Sequence, residues 1–134
     1  MEIQPYLFFD GRCDEAIEFY RKAAGAEVTM LLRYKDHPEP HQNPNAADDH
    51  VMHATVRIGE ATVLMSDGRC LGQPKFEGFA LSLNVANDAE AERLFKTLGE
   101  GGQVVMPLGK TFFSAAFGMI TDKFGVSWMV YVEP

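Results

Sequence analysis

Histidines are concentrated in one part of the chain. All four lie within a stretch of 17 residues: His37, His41, His50 and His53. Imidazole is a frequent metal ligand and a general base near neutral pH, so this stretch could do chemistry. His37 and His41 are four residues apart, but Pro38 and Pro40 prevent the helix that would place both on one face. Because no cysteine or carboxylate completes a recognisable ligand set, we expect the loop histidines to be solvated, with a loop metal site as the alternative.

His53 lies in a segment, 51–58, that predicts a half-buried strand. Side chains alternate between the two faces of a strand. One face is apolar and should pack against a helix: Met52, Ala54, Val56 and Ile58. The other face carries His53, Thr55 and Arg57. His53 is therefore a candidate general base or ligand-orienting donor. The alternative is a half-buried histidine that a neighbouring group satisfies.

Asp67 and Lys110 are further candidates, each with a structural alternative. Asp67 ends a predicted strand just before Gly68, where capping a turn is favoured over catalysis. Lys110 lies in a loop with two neighbouring aromatic residues, Phe112 and Phe113. A lysine beside aromatic rings could clamp an anionic or planar ligand at the mouth of a cavity. The alternative is a solvated lysine, with the rings packed on the core or at a subunit interface.

Two common kinds of catalytic centre have no support in the sequence. Neither Cys13 nor Cys70 lies beside a histidine, and no Gly-x-Ser-x-Gly turn occurs, so a nucleophilic centre is not predicted. No Gly-x-Gly-x-x-Gly follows a strand, and the glycine-rich segment 99–102 ends a predicted helix instead of opening one. We therefore expect no nucleotide or S-adenosylmethionine site and no cofactor.

Composition and charge limit the class of protein. The chain has 134 residues, a formal net charge of -7 and a pI near 5.0. Hydrophobic residues make up 46% and charged residues 23%, which predicts a single globular domain over residues 1–134. The acidic balance argues against nucleic acid or a membrane surface as a partner. With two distant cysteines and no signal-peptide or membrane-spanning pattern, we expect a cytoplasmic protein.

Patterns of hydrophobicity and of turn-forming residues predict the same series of elements twice. The first series is a strand over 3–9, a helix over 15–24 capped by Asp14, and strands over 27–34, 51–58 and 61–66. The second is a strand over 78–85, a helix capped by Asp88 that ends at Leu98, and strands over 103–106, 117–121 and 126–132. Loops over 35–50 and 107–116 interrupt the two series.

The two series are also related in sequence. Glu15-Ala16 aligns with Glu90-Ala91 at an offset of 75, and Gly59 aligns with Gly125 at an offset of 66. The proline- and histidine-rich loop absorbs the difference. The chain is therefore predicted to contain two tandem βαβββ modules, over about 1–68 and 76–134.

A duplicated βαβββ unit with the helix segment 16–25 resembles the vicinal oxygen chelate superfamily, which includes glyoxalase I, extradiol dioxygenases and the glyoxalase/bleomycin-resistance proteins. Segments 5–11, 51–54, 64–67 and 117–128 are similar to its PhnB-like branch. The resemblance covers essentially the whole chain. It implies an α+β fold in which the two modules form a curved mixed sheet around a small-molecule cavity, and it implies a homodimer.

The resemblance also implies where a metal ion would be held. Metal-using members carry His or Glu at one position in the first strand and one in the last strand of each module. In this chain these positions hold Pro5, Val63, Ala80 and Met129. Pro, Val and Ala side chains cannot coordinate a divalent ion, and a single thioether suits only soft metals. We therefore expect the metal centre of the superfamily to be absent.

The cavity implied by the resemblance also defines a ligand-binding set. Strand parity places Met129 and Tyr131 on the cavity side of the second module, as it places His53 on that side of the first. His53 is the best catalytic candidate. The full predicted set is His53, Thr55, Arg57, Lys110, Phe113, Met129 and Tyr131.

Three functions remain open at this point. The first is a metal-free module that binds an unknown, partly apolar small molecule. The second is a lyase, isomerase or dioxygenase with a displaced metal site around His53, completed by Asp67 or loop histidines. The third is a pure interaction protein with a vestigial cavity. Stoichiometric metal would favour the second function, and a bound organic molecule without metal would favour the first.

Overall fold

The computed structural model describes residues 1–40 and 42–133, so His41 lies outside the described residues. The chain divides into two compact units, Met1–Pro74 and Lys75–Pro134. Each unit contains a four-stranded mixed sheet and one α-helix. This confirms the predicted α+β class and the tandem βαβββ modules. Within the described ranges, no helix is long and apolar enough to cross a membrane.

The first unit is built in the predicted order. Its elements are β1 (Tyr6–Phe8), α1 (Cys13–Ala24), β2 (Glu27–Arg33), β3 (Val51–Ile58) and β4 (Ala61–Ser66), with a short 3-10 helix at Tyr34–Asp36. The strand order in the sheet is β1-β4-β3-β2. β1 runs parallel to β4, and the other neighbouring strands are antiparallel.

The second unit repeats this topology. Its elements are β5 (Leu81–Val85), α2 (Asp88–Leu98), β6 (Gln103–Gly109), β7 (Ala116–Thr121) and β8 (Ser127–Val132). The strand order is β5-β8-β7-β6, with β5 parallel to β8. The second sheet therefore has the same order and the same single parallel pair as the first.

Each sheet buries the face that meets its helix. In the first unit Tyr20 of α1 is fully buried, with its ring centroid 6.0 Å from that of Phe9. In the second unit Ala91 of α2 packs against Val130 and Val132 of β8. Burial alternates along β8, because successive side chains point to opposite faces of the sheet. In each unit, therefore, the helix covers one face of the sheet and leaves the other face open.

The predicted cap of α1 is wrong. Asp14 does not cap the helix, which begins at Cys13, and its carboxylate instead accepts two hydrogen bonds from Arg33, at 2.8 and 3.0 Å. The N–H of Cys13 donates to the side chain of Asp67, at 2.7 Å and 54 residues away. A cap supplied from such a distance leaves no local pattern in the sequence.

The predicted cap of α2 is displaced by one residue. Asn87, not Asp88, is the N-cap, and its side chain accepts a hydrogen bond of 2.9 Å from the N–H of Glu90. Both side chains favour this position. The sequence alone could not separate two good capping residues that are adjacent.

Edge strands differ most from the prediction. β1 spans three residues within the predicted 3–9, and β5 begins at Leu81. β6 continues through Pro107 to Gly109, where a loop was predicted. An edge strand pairs on one side only, so it tolerates a proline that lacks an N–H. Two register shifts accompany this part of β6.

The two β-hairpins have turns of different length. In the first unit Ile58 pairs with Ala61, which leaves two residues in the turn. In the second unit Thr121 pairs with Ser127, which leaves five. The closing pair of Ile58 and Ala61 lies on the helix side of the first sheet, whereas the closing pair of Thr121 and Ser127 lies on the open side of the second. Since Ala61 and Ser127 each lie two residues beyond the turn glycine, residues at equal distances beyond the two glycines face opposite sides of their sheets.

Candidate functional site

The first open face is the side of the first sheet that α1 does not cover. Strand pairing places eleven side chains on it: Tyr6, Phe8, Glu27, Met30, Leu32, His53, Thr55, Arg57, Thr62, Leu64 and Ser66. Five of them, two aromatic and three aliphatic, are large and mainly apolar, and Phe8 is 54% exposed. Contiguous exposed apolar surface is typical of binding sites. This face contains three of the predicted ligand-binding residues.

A chain of three hydrogen-bonded side chains crosses the first open face. Tyr6 Oη lies 2.8 Å from Nδ1 of His53. The other ring nitrogen of His53, Nε2, lies 3.1 Å from Oγ1 of Thr55. Tyr6 reaches His53 from β1, across the intervening strand β4. Since both ring nitrogens are engaged, the orientation of the imidazole is fixed.

The state of Tyr6 determines the direction of these hydrogen bonds. Burial raises the pKa of the Tyr6 phenol, and a hydrogen bond with the Ser66 side chain opposes the shift only in part. The phenol is therefore protonated at neutral pH, and it donates to Nδ1 when His53 is neutral. Nε2 then carries the proton and donates to Thr55. The Tyr6 oxygen is left as an acceptor and the Thr55 hydroxyl as a donor.

Two aromatic rings form a platform beside this chain. The rings of Tyr6 and Phe8 are stacked, with centroids 4.8 Å apart and planes inclined by 19°. Phe8 also packs closely over Gly68, where an added Cβ would lie 3.1 Å from its ring. No role of these two rings was predicted from the sequence. Alternation along β1 was the available signal, because Leu7 and Phe9 occupy the buried face.

Arg57 lies at the rim of the first open face. Its guanidinium donates to the carboxylate of Glu27, at 2.7 Å, across the pair formed by β2 and β3. Both side chains are more than half exposed. Arg57 is thus held at the solvent edge, away from the contact between Tyr6 and His53.

Asp67 belongs to the core of the first unit. It is 1% exposed, and its two oxygens accept hydrogen bonds from the N–H groups of Cys13 and Val51, at 2.7 and 2.6 Å. The carboxylate ties the start of α1 to the start of β3. The predicted turn cap is therefore replaced by a long-range cap, and both oxygens are engaged with backbone N–H groups.

The described loop histidines are engaged locally. Nδ1 of His37 accepts a hydrogen bond from the N–H of Glu39, at 3.1 Å, and Nδ1 of His50 accepts one from the N–H of Ala47, at 2.8 Å. In residues 1–40 and 42–133, no three His, Cys, Asp or Glu side chains are grouped so as to hold a metal ion. The prediction for His41 falls outside the described residues.

The second open face is the corresponding side of the second sheet. Strand pairing places on it Ser82, Met106, Phe117, Met119, Thr121, Ser127, Met129 and Tyr131. The ring of Phe113 contacts that of Phe117 edge to face, with centroids 5.2 Å apart. The structure thus places Phe113 beside the strands that carry Met129 and Tyr131.

Lys110 lies apart from Phe113. It lines a cleft at the start of α2, together with Asp88, Glu92 and Leu108. These residues are on the helix side of the second sheet. The carboxylates of Asp88 and Glu92 therefore line the same cleft as Lys110.

The residues at the implied metal-ligand positions do not fit a divalent ion. Val63 is 5% exposed and pairs with Val56 on the helix side, so counting from the turn glycine selected the wrong face. The residues that face outward there are Leu64 and its partner Tyr6. Burial raises the pKa of the Tyr6 phenol, so the phenol stays protonated. In the second unit the outward pair is Ser82 and Met129. Neither pair offers the carboxylate or imidazole that such an ion prefers.

Comparison with known proteins settles the family. The family model described as 3-demethylubiquinone-9 3-methyltransferase matches residues 1–131. The chain belongs to this family. Protein YjdN of Escherichia coli is 35% identical over 140 residues, which cover 98% of this chain and 95% of YjdN.

Two solved structures are similar to this family member over almost their full length. PA1353 from Pseudomonas aeruginosa is 44% identical with a TM-score of 0.85, covering 99% of this chain and 98% of PA1353. A PhnB protein from Bacillus cereus, described as a putative 3-demethylubiquinone-9 3-methyltransferase, is 28% identical with a TM-score of 0.80. The match covers 98% of this chain and 99% of that protein. The predicted PhnB-like branch is confirmed.

The fold of this family extends to more distant proteins. The fosfomycin resistance protein FosX from Listeria monocytogenes is 8% identical, with a TM-score of 0.67 over 100% of this chain and 93% of FosX. At this identity the likeness concerns the fold alone. It confirms the predicted glyoxalase/bleomycin-resistance-like fold.

Proposed function

We propose that this protein binds a small organic molecule, without a divalent metal ion, on its first open face. The observation that carries the proposal is the stacked pair of Tyr6 and Phe8 beside the hydrogen-bonded chain of Tyr6, His53 and Thr55. Binding sites for small molecules combine apolar surface with a few fixed polar groups. The first open face supplies both.

The arrangement favours a planar ligand with a polar edge. The exposed ring of Phe8 offers a stacking surface, which is most favourable for a flat aromatic molecule. The Tyr6 oxygen offers an acceptor and Thr55 a donor to the edge of such a molecule. Arg57 at the rim adds an attraction for a negatively charged substituent.

The proposed function is binding without methyl transfer or metal-dependent catalysis. The methyltransferase in the family description would need a site for a methyl donor, and no segment of the sequence resembles one. The displaced metal site would need an oxygen of Asp67 or a loop histidine beside His53. Both oxygens of Asp67 accept backbone hydrogen bonds, and Nδ1 of His37 and of His50 accepts a backbone hydrogen bond within the loop. Both ring nitrogens of His53 are hydrogen-bonded, to Tyr6 and to Thr55, so in the proposed function His53 orients these two hydroxyl groups.

We also propose that the protein is a homodimer. The family resemblance carries this proposal, and exposed apolar side chains on the edge strand β6 support it: Val104, Val105 and Met106 are 43–60% exposed. Edge strands with such side chains are prone to association.

The test of ligand binding uses planar aromatic compounds with hydroxyl or carboxylate groups. We expect some of them to raise the melting temperature of the wild type and to show saturation-transfer NMR signals. Phe8→Leu removes the stacking ring and should weaken binding of these compounds by about tenfold or more. Tyr6→Phe should weaken chiefly those compounds that have a donor at the edge.

Phe112→Leu is the matched control, because Phe112 is fully exposed and lies in the other unit. It should bind the same compounds as tightly as the wild type does. Equal affinities of Phe8→Leu and Phe112→Leu would refute the proposed face, and an absence of binding across the compound set would refute the ligand class.

A further inference from the structure

Three methionines lie side by side on the second open face. Met106 of β6 pairs with Met119 of β7, and Met119 pairs with Met129 of β8. Register shifts in β6 on both sides of Met106 keep its side chain on the same face as Met119. Directly opposite side chains on neighbouring strands have Cβ atoms about 4.5–5.5 Å apart. Flexible thioether side chains at this spacing can bring three sulfur atoms together above β7.

This methionine row is accessible and is specific to the second unit. Met106 is 43% exposed, and Met119 and Met129 are half-buried. The corresponding face of the first unit carries Met30, whose partner on β3 is Thr55. The row is therefore not a general consequence of the duplicated fold or of the seven methionines in the chain.

The neighbours of the row suit a cation of low charge. Along β7 and β8 the next pair on one side is Phe117 with Tyr131, and on the other side Thr121 with Ser127. Aromatic faces attract cations, and hydroxyl groups solvate them. These flanking pairs contain no carboxylate, which a hard divalent ion would require for tight binding.

We propose that Met106, Met119 and Met129 form a binding site for a soft monovalent metal ion of the Cu(I) class. Thioethers are soft, neutral donors that select Cu(I) over Mg²⁺, Ca²⁺ or Mn²⁺. The bound ion keeps its single positive charge, and binding involves no redox or bond-breaking step. The metal site lies on the second sheet and the proposed organic-ligand site on the first, so each proposal can be tested without the other.

The first experiment follows the methionine methyl groups by NMR. Ag(I) is the probe, because it has the charge and softness of Cu(I) but does not oxidise in air. The protein carries ¹³C-methyl methionine and the substitution Cys70→Ser, since a half-buried thiol would compete for a soft ion. One equivalent of Ag(I) should shift the signals of Met106, Met119 and Met129.

The other four methionines serve as internal controls: Met1, Met30, Met52 and Met65. Their signals should stay in place, and an equivalent of Mg²⁺ should move none of the seven. Shifts at Met30 or Met1 equal to those in the row would overturn the proposal, as would an absence of shifts in the row.

The second experiment measures Cu(I) affinity by competition with a chromogenic Cu(I) chelator, with Cys70→Ser again present in every protein compared, so that "wild type" here means the chain with this single change. Met119→Leu removes the central sulfur, with little change in volume, and should weaken binding by about tenfold or more. Met30→Leu is the matched control and should bind as the wild type does. Circular dichroism checks the fold of both variants. Wild-type affinity in Met119→Leu would show that the ion is held elsewhere, for example by Cys13, and would overturn the proposal.

Discussion

At the scale of single residues, two buried carboxylates organise the two units. Asp67 joins the start of α1 to the start of β3. Asp122 accepts hydrogen bonds from the N–H groups of Phe124 and Val126 and from the indole of Trp128. Each carboxylate therefore satisfies several donors that would otherwise be buried without a partner. Both are structural residues of their units.

Asp67→Asn should destabilise the protein strongly. The amide has one acceptor oxygen and would turn its NH₂ group toward a backbone N–H, so one buried donor loses its partner. We expect the free energy of unfolding to fall by about 2 kcal/mol or more in urea titrations.

Asp49→Asn is the control, since Asp49 is exposed and its contact with Lys35 is a surface ion pair. That change should leave the free energy of unfolding close to that of the wild type, because solvent screens an exposed ion pair. A similar loss of stability in both variants would contradict the role assigned to Asp67.

The alternation of side chains along a strand was sufficient to predict which residues of β3 face outward. His53 and Thr55 lie opposite the buried face of β3, as the alternation predicts. The hydrogen bond from Tyr6 to His53 joins residues 47 positions apart. It depends on the parallel pairing of β1 with β4, which no local pattern encodes.

At the scale of elements, close backbone approaches decide which glycines are required. Gly102 stands just before β6, and an added Cβ would lie 2.0 Å from the carbonyl oxygen of Thr121. The segment between α2 and β6 must therefore pass this point with a residue that has no side chain, so that β6 can pair with β7.

Gly102→Ala should destabilise the second unit by more than about 2 kcal/mol, because backbone atoms would have to move. Gly109→Ala is the matched control at the other end of β6. Its nearest contact would be 4.0 Å away, at the oxygen of Pro107, and stability should change by less than about 1 kcal/mol. Urea unfolding of both variants measures the difference, and equal midpoints would contradict the close approach.

The helices were predictable as elements because their apolar residues recur at helical spacing. Ile17 and Tyr20 in α1 and Ala91, Leu94 and Leu98 in α2 are buried, as this pattern predicts. Edge strands were less predictable, because one free side lets β6 include a proline and two register shifts. The tertiary contacts that end such strands are not local.

At the scale of the whole molecule, the proposed dimer can be measured directly. Native mass spectrometry of untagged protein, purified without chelator, should give a species of twice the chain mass of 14.9 kDa. An additional mass would reveal a bound organic molecule or metal ion. A species of single-chain mass at micromolar concentration would refute the homodimer.

The tandem repeat was recognisable at this scale because the two helices align at a constant offset. Which residues of each last strand face outward was not recognisable, because an alignment of the turn glycines does not show on which face of the sheet the pair that closes the turn lies. This is why Val63 was placed at a ligand position although it packs toward α1. The outward-facing residues became clear only from the observed pairing.

The unequal hairpin turns also restrict how the two halves of the chain could exchange parts. Aligned on its turn glycine, Tyr131 corresponds to Met65, which is fully buried. A last strand copied alone from the second half into the first would therefore carry its outward-facing side chains into the core. Recombination between the halves, in evolution or in the design of chimeras, would have to move a complete hairpin together with its turn.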